Sequence, residues 1–173
     1  MKKIALTFIL IIATLSTVCA QNYKWWAGGK TSFWRAESHT DFGIAPEIGY
    51  HLTNKFTVAG SVGLYSHINH SKGNDSNYNY VILNPYIRYN AIVTGNLLFF
   101  VDGGVDCRIG RDDAFQIGFK PGMAIFLSDR ITLAFQFGFI GYNDGNGIGV
   151  MRKQGVGFDL SGYQSGFALF YSF

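Results

Sequence analysis

Most of the chain after residue 20 alternates between bulky apolar residues and small or polar ones. The last segment shows this clearly: from Tyr163 to Phe173 the odd positions are mostly large and aromatic, and the even positions are mostly small or polar. A period of two is typical of a β-strand, because successive side chains point to opposite faces of a sheet. The alternation predicts eight strands, with approximate bounds 22–36, 42–52, 56–67, 78–89, 97–109, 114–127, 131–142 and 163–173.

The connections between these strands alternate in length. Short turns are predicted at 53–55, 90–96 and 128–130, and the other connections fall at 37–41, 68–77, 110–113 and 143–157. Short turns at one end and longer loops at the other are the layout of a transmembrane barrel. The pattern therefore predicts an all-β fold, an eight-stranded antiparallel up-and-down transmembrane β-barrel.

An internal repeat agrees with a barrel built from hairpins. Residues 46–65 align without gaps on residues 121–140, an offset of 75 positions, and five of the 20 aligned residues are identical. Each copy holds a similar turn, Leu-Thr-Asn-Lys-Phe-Thr in the first and Leu-Ser-Asp-Arg-Ile-Thr in the second. Convergence of turn sequences on similar chemistry would explain the same likeness, and it implies the same fold.

The two faces of the strands differ in size and charge. One carries Phe, Ile, Leu, Val and Tyr, including Phe135, Phe137 and Phe139, whereas the other carries glycines and nearly all the mid-strand charges. A soluble barrel would hide the bulky face in its lumen. Because an eight-stranded barrel has little interior room, we expect the bulky face to point outward, toward lipid, and the small face to line the lumen.

The composition limits the kind of protein this chain can be and its cellular location. The first 20 residues have a basic start at Lys2 and Lys3 and then an apolar run, which predicts a cleaved signal peptide at 1–20 and a barrel domain at 21–173. A lipoprotein signal at Cys19 and a retained anchor are the alternatives. Without Lys2 and Lys3 the chain keeps 12 of its 14 basic residues against 11 acidic ones, which argues against a nucleic-acid partner. The longest later apolar runs, such as residues 97–101, have about five residues, far short of the roughly 20 that a membrane helix needs.

The terminal strand, which ends on Phe173, resembles the closing strand of bacterial outer-membrane β-barrels. With its Pro-containing hairpins and a signal ending in Ala-Gln, the whole chain is similar to the small porin-family barrels that include OmpA and OmpX, in the version found in Bacteroidota. The resemblance implies a monomer in the cell outer membrane, in contact with outer-membrane lipid. It also implies that the barrel-insertion machinery reads the C-terminal strand ending at Phe173.

Charged residues are expected inside the barrel. Buried charges need partners, so we expect Lys30 to pair with Glu47, and Asp102 with Lys120, each across adjacent strands. Such a network would be a structural plug or, alternatively, an ion gate. Its predicted members are Lys30, Glu47, Arg88, Asp102, Asp106 and Lys120.

Other candidate sites are weak. His67 and His70, with Ser66 and Ser71, resemble the His-x-Ser element of lipid A deacylases, but no acidic partner follows at strand spacing, so a polar rim is the preferred interpretation. Residues 143–147 resemble the start of a calcium loop and lack the later Glu. We expect no catalytic residue, no metal and no cofactor.

Aromatic residues near the strand ends suit interfacial girdles: Trp25, Trp34, Tyr50, Tyr89, Tyr142, Tyr163, Tyr171 and Phe173.

The expected function is structural or interactive. The barrel would display its loops, above all 68–77 and 143–157, to an extracellular partner while its polar lumen stays mostly plugged. A narrow porin passing small solutes or ions is the alternative, and a lipid-modifying enzyme is a third hypothesis.

Overall fold

The computed structural model describes residues 23–35, 39–69, 77–110, 113–144, 154–160 and 166–173. These residues confirm the predicted fold class: they form an all-β, closed eight-stranded antiparallel barrel. The predicted signal peptide lies outside the described residues, as do His70, Ser71, Tyr163 and the side chain of Trp34.

Ten strand segments build the eight barrel strands. β7 and β8 both pair with β6 and form the seventh strand, whereas β9 and β10 form the eighth. Consecutive strands pair antiparallel around the barrel, and β1 closes it by pairing with β10. The segments are β1 (Trp25–Arg35), β2 (His39–His51), β3 (Phe56–Asn69), β4 (Tyr78–Thr94), β5 (Leu97–Gly110), β6 (Ala114–Phe126), β7 (Ile131–Gln136), β8 (Phe139–Asn143), β9 (Gly155–Asp159) and β10 (Gly166–Ser172).

Several strands are longer than the alternation predicted. β2 begins at His39, inside the predicted 37–41 loop. β4 continues to Thr94 through a register shift between Asn90 and Ile92, so the turn predicted at 90–96 is shorter. β9 begins at Gly155, and the predicted 143–157 loop therefore ended too late. In β2 and β9 polar residues and glycines hid the extensions, because both are typical of loops. In β4 the register shift between Asn90 and Ile92 interrupts the alternation.

A bulge in the seventh strand changes which side chains face the lumen. The pairing with β6 shifts by one residue between Gly122↔Gln136 and Phe119↔Ile140, and Gly138 in between has a φ of 99°. A bulge adds one residue, so every later side chain changes face. The prediction that Phe139 points outward with Phe135 is therefore wrong: Phe139 is buried, and its neighbour Ile140 is exposed.

The orientation of the remaining faces is confirmed by burial. Glu47 and Arg88 are 4% and 6% exposed, whereas the adjacent Ile48 and Ile87 are 52% and 53% exposed. The barrel thus carries its apolar side chains outside and its charges inside, the reverse of a soluble barrel. In the described part of the chain, no helix has the length and hydropathy of a membrane-spanning segment.

Two prolines interrupt the hydrogen-bonded ladders. The pairing of β2 with β3 skips the residues around Pro46, and the pairing of β4 with β5 skips those around Pro85. Proline has no N–H to donate. At the second interruption the side chain of Asn84 compensates, because its Nδ2 donates to the carbonyl of Val105 at 3.2 Å.

Aromatic residues lie near the ends of the outward face. At the turn end, Trp25 packs on Tyr50 with ring centroids 4.8 Å apart, and Phe56 packs on Tyr89 at 5.3 Å. At the loop end, Tyr142 packs on Phe115 at 5.8 Å. This distribution is the one expected of interfacial girdles.

Candidate functional site in the barrel lumen

All six charged residues predicted for the lumen lie at inward positions. Glu47, Arg88, Asp102 and Asp106 are buried, and Lys30 and Lys120 are partly buried. They come from five different strands, because each strand contributes inward side chains at every second position. Three cations face three anions, so the set as a whole is electrically balanced.

Arg88 and Asp102 form the central ion pair. They are directly opposed on β4 and β5, and Arg88 Nε lies 2.7 Å from Asp102 Oδ1 while Nη2 lies 2.9 Å from Oδ2. Gln136 Nε2 also donates to Asp102 Oδ2, at 2.6 Å. This fork geometry and the third donor satisfy the buried carboxylate, which is the condition for keeping an ion pair away from water.

The guanidinium of Arg88 also lies among aromatic rings. Its Cζ is 3.8 Å from the ring centroid of Phe100, and the rings of Tyr86, Trp26 and Phe170 lie at 5.5–5.9 Å. Ring faces attract cations, and the attraction grows when water is excluded. Arg88 is thus held by one carboxylate and by an aromatic cage.

An apolar group packs around this cage at the turn end of the lumen. We call it the basal cluster. Within it Trp26 packs on Phe170 with ring centroids 4.3 Å apart. Its buried members are Trp26, Tyr86, Leu98, Phe100, Ala124, Ala134, Ala168 and Phe170.

Each large ring of the basal cluster faces a glycine across a strand pair. The four pairs are Trp26↔Gly49, Phe170↔Gly28, Tyr86↔Gly104 and Phe100↔Gly122. A Cβ added at Gly49 would lie 2.2 Å from the Trp26 ring, and one at Gly122 would lie 2.4 Å from the Phe100 ring. The expectation that small residues and a few charges fill the lumen did not include these rings. A signal was present, since aromatic residues at inward positions meet glycines once the hairpin registers are set.

The upper polar part of the lumen centres on Asp106. Its carboxylate accepts hydrogen bonds from Asn84 and Gln116, and Lys120 Nζ lies 2.5 Å from Oδ2. Lys120 therefore bonds Asp106 and not its register neighbour Asp102. The predicted Asp102–Lys120 pair is wrong because Arg88, on the other side of Asp102, already occupies both carboxylate oxygens.

Lys30 and Glu47 also have partners other than each other. Lys30 Nζ donates to Gln136 Oε1 at 2.6 Å, and the hydroxyl of Tyr86 donates to Glu47 Oε1. The predicted Lys30–Glu47 pair is therefore wrong. Glu47 Oε2 is buried and has no hydrogen-bond partner among the described residues. A buried carboxylate oxygen of this kind is a common position for an internal water.

A second cluster lies at the loop end of the lumen. His67 Nδ1 is 2.5 Å from Asp41 Oδ1, and His39 Nε2 is 3.3 Å from Asp41 Oδ2. The rings of His39 and His67 are stacked at 5.2 Å, and Tyr78 stacks on His67 at 4.8 Å. The expectation that His67 lacks an acidic partner is wrong. Asp41 was hidden in a predicted loop, whereas it lies on β2 directly opposite His67.

The side chains of this cluster at the loop end hydrogen-bond and stack on one another, as expected of a polar rim. The ring faces of His39, His67 and Tyr78 are largely covered by one another, and Ser66 is next to His67 on β3 and so points to the other side of the strand. Within the described ranges, no group of three or more His, Cys, Asp or Glu residues has the geometry to hold a metal ion. The lumen thus has three levels: an aromatic base, a hydrogen-bonded polar middle and a His–Asp–Tyr rim.

A scan against protein-family models gave no match for this sequence, and a search of curated proteins gave none either.

Proposed function

We propose that this chain is an outer-membrane β-barrel with a structural or interaction role, and not an enzyme. One observation carries the proposal: the apolar side chains cover the outside of the barrel while the charges lie inside. A mid-strand Arg or Lys on a lipid-facing surface costs roughly 2–4 kcal/mol, and the described outward mid-strand positions avoid such residues.

The packing of the basal cluster favours this role over a narrow porin. The basal cluster places Trp26, Phe100 and Phe170 across the turn end, and Arg88 fills the space among their rings. Interiors of eight-stranded barrels are only just wide enough for side chains. The protein would therefore act through its loop end, where the segments 68–77 and 143–157 would meet an extracellular partner, as a monomer in the cell outer membrane.

Planar-bilayer recording tests the closed lumen. The refolded barrel is expected to give no discrete conductance steps, and a matched variant with Phe100→Ala and Trp26→Ala tests whether the assay detects an opened base. Steady single-channel currents from the unmodified protein would refute the structural role and support the porin.

Spin-label accessibility measurements test whether the outward face of the barrel contacts lipid. On β3, Val62 is outward and 46% exposed, and its neighbour Ser61 is inward. In lipid vesicles, a label at Val62→Cys should be relaxed by oxygen, which concentrates in lipid, and a label at Ser61→Cys should not; Cys107 is replaced by Ser in both. Equal access of a water-soluble nickel reagent to both labels would contradict the proposal.

The terminal strand gives a further test, in cells. If insertion machinery reads the strand ending at Phe173, deleting that residue lowers the amount of barrel recovered in the outer-membrane fraction. Normal recovery of the deletion variant would remove that partner from the proposal.

A further inference from the structure

Arg130 is an exposed arginine whose side chain is held in place by two tyrosines. It ends the short turn between β6 and β7, and its Nε lies 3.0 Å from the hydroxyl of Tyr23 while Nη1 lies 2.8 Å from that of Tyr171. The guanidinium also lies 5.1 Å from the Tyr23 ring centroid and 6.0 Å from that of Tyr171. Tyr23 comes just before β1, and Tyr171 belongs to β10.

The arginine of this group offers only donors. A guanidinium has five N–H groups and no acceptor, and two of the five point to the tyrosine oxygens. Because both hydroxyls accept from Arg130, each keeps its own hydrogen to donate elsewhere. Nη2 has no partner among the described residues, and no carboxylate of that part of the chain, including the adjacent Asp129, forms an ion pair with Arg130. The hydrogen bonds that Arg130 donates to Tyr171 and Tyr23 raise the pKa of its guanidinium, and a guanidinium stays charged in proteins in any case.

The group of Tyr23, Arg130 and Tyr171 lies at the turn end of the barrel, at the edge of its outward face. Tyr171 is on the outward face, opposite Ile131, and above it the same face continues through Leu169 and Phe167. Trp25 and Phe173 are 47% and 55% exposed on the same side of the barrel end. A fixed cation with free donors thus lies where the apolar outer band meets the polar turns, at the level of headgroups in a membrane.

The first copy of the internal repeat supplies a natural comparison. Lys55 is the counterpart of Arg130 in the repeat. Tyr89 holds the place of Tyr171 on the next strand, because it lies opposite Phe56 as Tyr171 lies opposite Ile131. The backbones agree, since Asn90 N donates to Lys55 O and Ser172 N donates to Arg130 O, both at 2.8 Å. The described contacts include no hydrogen bond from the side chain of Lys55 to Tyr89. The first copy of the repeat therefore has the same turn and a basic residue, but the described tyrosines do not hold that residue in place.

We propose that Tyr23, Arg130 and Tyr171 form a binding site for the phosphate group of a phospholipid. The guanidinium and the two phenolic hydroxyls would donate to the phosphate oxygens, and the acyl chains would lie along Leu169, Phe167 and their neighbours on β7. A planar guanidinium matches two phosphate oxygens at once. The inference rests on the proposed membrane placement and adds a specific lipid contact at the turn side.

Native mass spectrometry of the refolded full barrel in detergent tests the site. Phosphatidylglycerol is titrated in, with diacylglycerol of the same acyl chains and inorganic phosphate as the two comparison ligands. We expect one tightly retained phosphatidylglycerol, and at least ~10-fold weaker retention of diacylglycerol, since charge-assisted hydrogen bonds supply the difference. Arg130→Gln should lower phosphatidylglycerol affinity about 10-fold, and Tyr23→Phe combined with Tyr171→Phe should lower it at least 3-fold.

Lys55→Gln is the matched control and should change the affinity less than 2-fold. Equal losses for Arg130→Gln and Lys55→Gln would overturn the site in favour of general charge attraction. Inorganic phosphate that displaces the lipid at equal concentration would overturn the lipid assignment. Each variant is first shown to be folded by its heat-dependent gel mobility. If the folded barrel retains no lipid, this inference alone is refuted. If the protein does not insert into vesicles, the proposed function is refuted.

Discussion

Replacing Asp102 by Asn should destabilise the barrel strongly. The substitution keeps the shape of the side chain and removes the charge that faces Arg88, which is 6% exposed and surrounded by aromatic rings. Removing one partner of a buried ion pair costs about 3–5 kcal/mol, because the other charge stays buried without compensation. Asn retains one acceptor oxygen, so we expect a loss of about 3 kcal/mol. That loss reduces the ratio of folded to unfolded protein about 100-fold.

Replacing both partners should cost much less. In the double variant Arg88→Met and Asp102→Leu, no charge is left in the aromatic base, and apolar replacements of buried ion pairs are often neutral. Urea unfolding in lipid vesicles measures both effects, with tryptophan fluorescence as the signal, since Trp26 packs against Phe170. Lys55→Met, on an exposed turn, is the control and should stay within about 0.5 kcal/mol.

Two results would refute this reasoning. If Asp102→Asn lost less than about 1 kcal/mol, Arg88 would be in contact with water and the lumen would not be closed at that level. If the double variant lost the full sum of the losses measured for Arg88→Met alone and Asp102→Leu alone, the pair would contribute no coupling energy.

Three further predictions concern the walls of the barrel, each measured by the same urea titration. Gly122→Leu should cost about 1–3 kcal/mol because its side chain would overlap a buried ring; Gly60→Ala, where an added Cβ meets backbone atoms only at 3.6 Å and beyond, should be nearly neutral. Ile44→Arg, mid-strand and 46% exposed, should cost roughly 2–4 kcal/mol in vesicles, against about 0–1 for Leu52→Arg at the strand end. Gly138→Ala should cost about 1–3 kcal/mol because φ is 99° there, and an unchanged midpoint would show that the bulge relaxes freely.

The alternation of apolar and small residues was sufficient to predict the fold. It located the eight strands and their outward faces, because each strand of a barrel exposes one face to the outside and the other to the lumen. It failed after Gly138, since a single inserted residue reverses the faces without changing composition. It also failed at Gly155 and His39, where glycine and polar residues continue a strand.

The composition of the lumen was predictable and its contacts were not. Most of the six charged residues could be placed inward because they lie at strand positions that alternate with bulky apolar residues, and the sequence displays this alternation. Their partners depend on which carboxylate oxygen each long side chain reaches, and Arg88 reaches Asp102 while Lys120 extends to Asp106. The His67–Asp41 contact needed the register of β2 on β3, and this register was unknown while Asp41 belonged to a predicted loop.

The four ring-to-glycine pairs of the basal cluster constrain how this sequence can diverge. Phe100 and Gly122 share one cross-section of the lumen, so a mutation that shrinks the ring leaves a void that only a larger residue at position 122 can refill. The two residues of each pair should therefore change together during evolution, so that a loss of side-chain volume on one strand is matched by a gain on its neighbour. Among descendants of this gene, the total volume at positions 100 and 122 should vary less than the volume at either position alone.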